Sequence, residues 1–327
     1  MYDLISLGEP LLRLAPARFG RLRRATSLDV RLAGAQLNVA ANLAQLGKRT
    51  AFISQVPDNE LGLLVRDSCL SYGVDVSHLR LVPGTRLGTV YVEFGTTPRV
   101  GVSVFDRQHS AASLIGPESF AWDEILKDAR LAHTDGIFAG LSAQCYQATL
   151  EFLASAKRQG CTTTFDVNYR EHLWTAEQAR RALFAILPHV DILATNRTVS
   201  EQVLGLRGTD EEILAAYRGE FGCRVVCLTS REIPSVLHGA WCSMALSDAG
   251  VARGRRYEFD VVDRFGTGDA WFAGFLYGYL AQGIEFGLSF GNALCALAHT
   301  TEGDVIQNSV EDVMPLLDGD YDLRIRR

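Results

Sequence analysis

The sequence predicts a three-layer α/β/α domain with a mainly parallel central sheet and a small β-sheet lid. Three observations carry this. Apolar, β-branched runs alternate with helical patterns through most of the chain, a rhythm that implies parallel strands joined by helices. Residues 86–106 break the rhythm with two β-rich runs joined by Gly95-Thr96-Thr97-Pro98, a hairpin signal with a longer loop and the mark of a separate sheet. Late in the chain, Val261-Val262 leads through Asp263-Arg264-Phe265-Gly266-Thr267-Gly268-Asp269 into a strongly apolar helical segment.

The 327 residues are read as one domain, 1–327, with the lid inserted at about 11–35 and 86–108. A hydrophobic content of 47% supplies ample core, and a formal charge of −6 argues against a nucleic-acid partner. Asp3 and Glu9 interrupt the apolar start, so no leader is read and a cytoplasmic location is expected. Residues 270–301 carry a single charge, Glu285, but the uncharged piece before it is shorter than the ~20 residues a membrane span needs. Two buried helices are expected there, and no membrane contact. The seven cysteines are scattered, with only Cys223 and Cys227 close, which fits reduced thiols. Neither they nor the seven histidines show metal-ligand spacing, so no metal site is assigned.

In order, residues 2–7 form a strand ended by Gly8-Glu9-Pro10. Residues 11–35 carry Arg13, Arg18, Arg21, Arg23, Arg24 and Arg31. This basic cluster reads as a solvated face, or as a positive rim near an anionic substrate. A helix at 37–46 is stopped by Gly47, and a strand at 51–53 precedes a helix at 61–72 stopped by Gly73. The lid hairpin spans 89–94 and 100–105. Strands follow at 131–134, 162–166, 191–195 and 225–229, with helices at 146–159, 176–187, 198–204 and 211–221. Further strands fall in 242–262, a final buried helix at 285–300, and an exposed tail at 324–327.

Ligands of such sheets sit beyond the carboxyl ends of the strands. That rule points Asn168, Arg170, Asn196 and Asp269 at one cleft, with Asp166 read as a structural cap. Gly266 and Gly268 would let backbone pass close to a ligand, and free N–H groups at the helix start would favour an anion. Asp269 at that mouth would serve as a base for a hydroxyl proton, although an Asp there also fits a plain helix cap. Arg170 could pair with a phosphate or carboxylate, or with Glu171 on the surface. Gly34 permits close backbone approach, and Asn38 offers a donor and an acceptor to vicinal hydroxyls.

The segment 263–269 resembles the second signature, D-T-x-G-A-G-D, of the ribokinase-like (PfkB) carbohydrate kinases, and Gly34 to Asn38 resembles the first, G-G-x-x-x-N, with Ala33 for one glycine. The likeness runs from Tyr2 to about Leu317. Within the family, Arg107-Gln108-His109-Ser110-Ala111, Gly8-Glu9-Pro10, Tyr91 and 166–170 resemble the 2-keto-3-deoxygluconate kinases. The resemblance implies an ATP- and Mg²⁺-dependent kinase for a small sugar acid. Asp269 would be the catalytic base, and the amides of Gly266, Thr267 and Gly268 the anion hole. Gly34, Asn38, Tyr91, Arg107 and Arg170 would contact substrate. Asn168, Arg170, Asn196, Thr229, Ser230, Gly266, Gly268 and Asn292 would lie near the nucleotide. A homodimer through the lid is implied as well.

Three departures stand out. Val199 occupies the acid position of an N-x-x-E element, with Glu201 out of register. The stretch after Thr229 lacks the usual glycines, and Thr267 replaces an alanine. The alternatives are a kinase for a neutral sugar and a non-catalytic sugar-binding relative.

Overall fold

The computed structural model describes residues 1–319; the tail expected at 324–327 lies outside the described residues. The strands are β1 (Tyr2–Leu7), β2 (Leu11–Ala15), β3 (Asp29–Ala33), β4 (Thr50–Pro57), β5 (Val74–Asp75), β6 (Leu79–Val82), β7 (Gly88–Glu93), β8 (Val102–Asp106), β9 (Ala129–Asp135), β10 (Thr162–Asp166), β11 (Ile192–Asn196), β12 (Val225–Ser235), β13 (His238–Ser247), β14 (Gly250–Arg253) and β15 (Tyr257–Asp260). The helices are α1 (Ala35–Gln45), α2 (Glu60–Ser71), α3 (Trp122–Leu126), α4 (Gly136–Ala139), α5 (Ala143–Arg158), α6 (Ala176–Ile186), α7 (Arg197–Val199), α8 (Asp210–Phe221), α9 (Thr267–Gln282), α10 (Ile284–Ala298) and α11 (Val310–Asp318).

The large sheet runs β14-β13-β12-β11-β10-β9-β1-β4-β5, with β15 beside β13 and β6 beside β4. Every pairing from β12 through β5 is parallel, and the β12–β13 hairpin adds the antiparallel edge. Both faces are covered, as alternate side chains show. Ile192, Ala194, Val225 and Cys227 join the core under α1, α9 and α10, while Leu193, Val226 and Leu228 join the core under α5, α6 and α8. This double burial is why those strands read as continuous apolar runs. The charge-poor segment 270–301 is the helix pair α9–α10. A Cβ on Gly278 would stand 2.7 Å from the Gly287 Cα, so the two backbones touch where glycine removes the side chains.

The second sheet runs β3-β2-β7-β8, with β7 and β8 antiparallel as the hairpin signal predicted. It is built from both insertions and covers the cleft.

Several expectations need correction. The helix expected from 37 starts at Ala35, and the helix at Ile284–Ala298 is followed by α11, so it is not the last. Strands β5 and β6 and helices α3 and α4 were not expected; each has six residues or fewer, too few to display a period. The strand expected to stop at 229 continues to Ser235, so the glycine-poor stretch is strand paired with β13 and not a loop. The basic cluster at 11–35 is only partly a solvated face. Arg18, Arg21, Arg23 and Arg24 are exposed, but Arg13 is 2% exposed. Among the described residues, no helix is long and apolar enough to cross a membrane. All seven cysteines are free thiols.

Candidate active site

The order of the sheet reverses between β9 and β1, and the cleft opens beyond the carboxyl ends of these strands. Its cavity, about 1170 Å³, lies between the strand ends, the start of α9 and the second sheet.

The turn 263–268 delivers the start of α9 into this cavity. Gly266 has φ 72°, and a Cβ there would stand 2.1 Å from the Asp304 carbonyl oxygen, so the position admits glycine alone. A Cβ on Gly268 would meet no protein atom within 4 Å: that glycine faces open cleft. No side chain caps α9, which leaves its first amides, including those of Thr267 and Gly268, to a ligand.

Asp269 sits in the first turn of α9, half-buried. The Asn38 amide donates a 2.7 Å hydrogen bond to its Oδ2, and the buried Asn38 Oδ1 has no partner among the described residues. Burial pushes the Asp269 pKa up to about 7; the carboxylates of Asp135 and Asp166 add to the rise, and the Asn38 hydrogen bond and the Arg170 charge oppose it. A carboxyl so tuned can accept a proton near neutrality.

Asp166, at the end of β10, is also raised to about 7, by burial first and then by Asp135. It accepts the Asn168 N–H at 2.9 Å, the cap role expected of it. Asp135, at the end of β9, is wholly buried, and burial raises its pKa. It accepts from the Phe138 amide at 2.9 Å, the Asn168 side chain at 2.9 Å and the Gln36 side chain. Asn168 is held at φ 37° by these bonds.

Gly34, Asn38, Arg107, Asn168, Arg170, Asn196, Thr229, Ser230 and the residues 266–269 all line the cleft. Arg170 is exposed there, and among the described residues its side chain bonds to its neighbour's carbonyl alone, that of Tyr169, at 3.0 Å, with no pair to Glu171. Gly34, at φ 138°, also has a local reason, because a Cβ would stand 2.4 Å from the Glu9 carbonyl oxygen. Asn196 spends its Oδ1 on the Val199 amide at 2.9 Å as the cap of α7. Val199 lines the cleft, and Glu201 turns away to Arg197 at 3.1 Å; Asp210, also in the lining, pairs with the same Arg197 at 2.5 Å. Among the described residues, no cluster of three or more His, Cys, Asp or Glu could hold a metal ion.

Three expected site residues sit differently. Arg107 does not hang free from the lid. It is 7% exposed, its Nε donates at 2.8 Å to Glu9, its Nη2 reaches the same oxygen, and Ser110 holds the other Glu9 oxygen. Nη1 of Arg107 keeps no partner among the described residues. Tyr91 is on the far face of the second sheet: its cross-strand neighbours are Leu14 and Val104, whereas Val90, Val92 and Phe105 face the cleft. Asn292 is fully buried behind Trp271. It accepts from Ser243 at 2.6 Å and the Trp271 indole at 3.0 Å, and donates to the Arg255 carbonyl at 2.9 Å.

The sequence reading also passed over supporting residues. Arg13 reaches from β2 to Asp263 at 2.7 Å and Asp304 at 3.0 Å, with the rings of Phe265 and Phe94 at 5.1 Å and 5.7 Å. Asp263 also accepts the Phe265 amide and the Gly303 amide, each at 3.0 Å, which pins the turn. Burial raises Asp304 to about 7 against the pull of Arg13. Asp135 could have been found by the strand-end rule; Arg13 carried no local signal.

This fold, with an acid at an uncapped helix start beneath a second sheet, defines a kinase that phosphorylates small hydroxylated molecules. The chain belongs to the pfkB family of carbohydrate kinases, whose pattern matches residues 1–310. It is 34% identical over 318 residues to 2-dehydro-3-deoxygalactonokinase of Haloferax volcanii, covering 97% of both chains. The crystal structure of 2-dehydro-3-deoxygluconokinase from Thermotoga maritima superposes with a TM-score of 0.93 at 32% identity, over 98% of this chain and 100% of that one. The fructokinase of Xylella fastidiosa, solved with bound ATP, shares the fold at a TM-score of 0.82 and 20% identity, over 98% of this chain and 99% of that one.

Proposed function

We propose that this carbohydrate kinase transfers the γ-phosphoryl of ATP to a hydroxyl of a 2-keto-3-deoxy sugar acid, of the gluconate or galactonate type. The observation that carries the mechanism is the Asn38–Asp269 pair at the start of α9. Asp269 takes the proton of the acceptor hydroxyl, and Asn38, through its unpartnered Oδ1, orients a neighbouring hydroxyl. Amides of the 266–268 turn hold the charge that develops on the transferring group. When bound, Mg²⁺ would supply charge neutralisation on the phosphates. Arg170 and the free Nη1 of Arg107 receive the acceptor carboxylate. The second sheet acts as a lid that excludes water.

The pairing of Arg107 with Glu9 favours a second reading, a neutral acceptor, because it cancels one of the two charges offered to a carboxylate. A dimer through the lid also belongs to the proposal, supported by exposed Val30, Val102 and Val104 on its strands. Light scattering tests it: a monomer at all working concentrations rejects it.

The deciding experiment is ADP release with Mg-ATP against keto-deoxy sugar acids and neutral sugars. Turnover confined to the acids supports the proposal. Turnover on fructose or ribose type sugars replaces the acceptor. Sugar binding without turnover, and without a further thermal shift on adding Mg-ATP, marks a non-catalytic relative.

A further inference from the structure

The turn before α9 and the second sheet share one small core. Phe265, in the turn, packs with Ala15, Val90 and Val92 of the sheet and with Phe94 just past β7, and the two Phe rings meet edge to face with centroids 6.1 Å apart. Arg13 of β2 lies against both rings and is 2% exposed. Its Nη2 donates at 2.7 Å to Asp263, which opens the turn, and its Nη1 lies 3.0 Å from a carboxylate oxygen of Asp304. Asp304 is also the residue whose carbonyl oxygen closes on Gly266. One side chain of the second sheet therefore grips both segments that meet at Gly266.

The other holds on the turn come from elsewhere in the fold. Arg264 ties it to the β12–β13 hairpin, through the carbonyls of Ser235, at 3.0 Å, and Val236. Asp263 accepts the Phe265 amide on one oxygen and shares the other between the Gly303 amide and Arg13. The first amides of α9 have no capping side chain, so their aim depends on these holds. Donors to a developing charge act by being fixed in advance, and a misplacement of about 1 Å can cost about a hundredfold in rate. A buried carboxylate that loses its cation is strongly disfavoured, so without Arg13 the turn has a reason to shift.

We propose that Arg13 is a positioning residue for phosphoryl transfer: through Asp263 and Asp304 it makes the second sheet hold the amides of the 266–268 turn in place. This rests on the reading of that turn as the seat of the transferring group, and it gives the lid a part in the chemical step besides excluding water. Arg13 also borders a second cavity, about 590 Å³, lined in part by Phe19, Arg31, Phe94 and Glu302. By that route a small cation can reach the place of its guanidinium once the side chain is cut back.

The test is steady-state kinetics of the whole protein, below the Tm of every variant, for wild type, Arg13→Lys, Arg13→Ala and Gly268→Ala. The substrates are Mg-ATP and whichever of 2-keto-3-deoxygluconate, its galactonate counterpart, fructose and ribose wild type turns over fastest. Lys keeps one charge but cannot span two carboxylates. Arg13→Lys is expected to lower kcat about 10–100-fold per folded protein with both KM values within about threefold, because the amides meet the transferring group chiefly in the transition state. Millimolar guanidinium chloride, far below denaturing strength, is expected to restore part of the kcat of Arg13→Ala and to leave wild type unchanged. An Arg13→Lys kcat within about twofold of wild type overturns the proposal. So does a folded Arg13→Ala that guanidinium does not revive, which marks a role in packing alone. Gly268→Ala separates the two readings. If it keeps full kcat, the turn does not hold the transferring group and both fall; if it loses kcat while Arg13→Lys does not, this proposal alone falls. A wild type with no turnover on any of the four sugars overturns both.

Discussion

Asn38 and Asp269 lie 231 residues apart in sequence and are joined by a 2.7 Å hydrogen bond in the cleft. A donor to a carboxylate favours its charged form and lowers its pKa. Asn38→Leu therefore raises the pKa of Asp269 above about 7. The acid limb of the kcat/KM profile is expected to move to higher pH, so the variant loses more activity at pH 7 than at pH 9. An unmoved limb would show that Asn38 does not tune the base.

Asp269→Asn should lower turnover about 10²–10⁴-fold while sugar binding persists. It should also stabilise the free protein at alkaline pH. The folded pKa of Asp269 is about 7, above the ~3.9 of an unfolded Asp, so the native state holds the proton more tightly. The carboxyl costs nothing below the unfolded value, and stability falls as pH rises through the interval up to about 7. Asn cannot ionise, so the Tm of the variant should exceed that of wild type at pH 8 and match it at pH 4. Thermal melts across that range check the sign.

Arg13→Met breaks a buried cluster and leaves Asp263 and Asp304 without their cation. A loss of about 3–5 kcal/mol is expected in urea melts at pH 8. Because raising the proton concentration neutralises the stranded Asp304 carboxyl, whose pKa burial raises to about 7, the loss should shrink toward pH 5. Equal losses at both pH values would mean that packing against Phe94 and Phe265 is the larger contribution.

The two glycines of the turn should respond differently. Gly266→Ala meets both a positive φ and the Asp304 carbonyl, so it should cost more than about 1 kcal/mol of stability and abolish activity. Gly268→Ala meets no protein atom, so Tm should hardly move. Its methyl instead intrudes on the space where the phosphoryl group passes, and kcat should fall. Matching Tm losses in both variants would contradict this division.

Much of the fold was legible because the signals are periodic and local. The strand at 162–166 has the expected bounds, the helices stopped by Gly47 and Gly73 stop there, and the hairpin expected at 89–94 and 100–105 forms as β7 and β8, at Gly88–Glu93 and Val102–Asp106. The turn 266–269 was legible too, since glycine spacing and the following apolar helix lie on one short segment. Tyr91, Asn292 and Arg107 were displaced for reasons a sequence does not display. Sheet register decided which face Tyr91 occupies, helix rotation put Asn292 behind Trp271, and a buried Glu9 claimed Arg107.

The sequence by itself determined the alternation of strands and helices, the second sheet and the acid at the start of α9, because each follows from residues close together in the chain. Only the tertiary structure decided which charges are spent and which are free. Arg13 is neutralised by Asp263, 250 residues away, and Arg107 by Glu9, 98 residues away. Charge in a folded protein is settled by what long-range packing brings within a few ångströms, and no local pattern carries that distance.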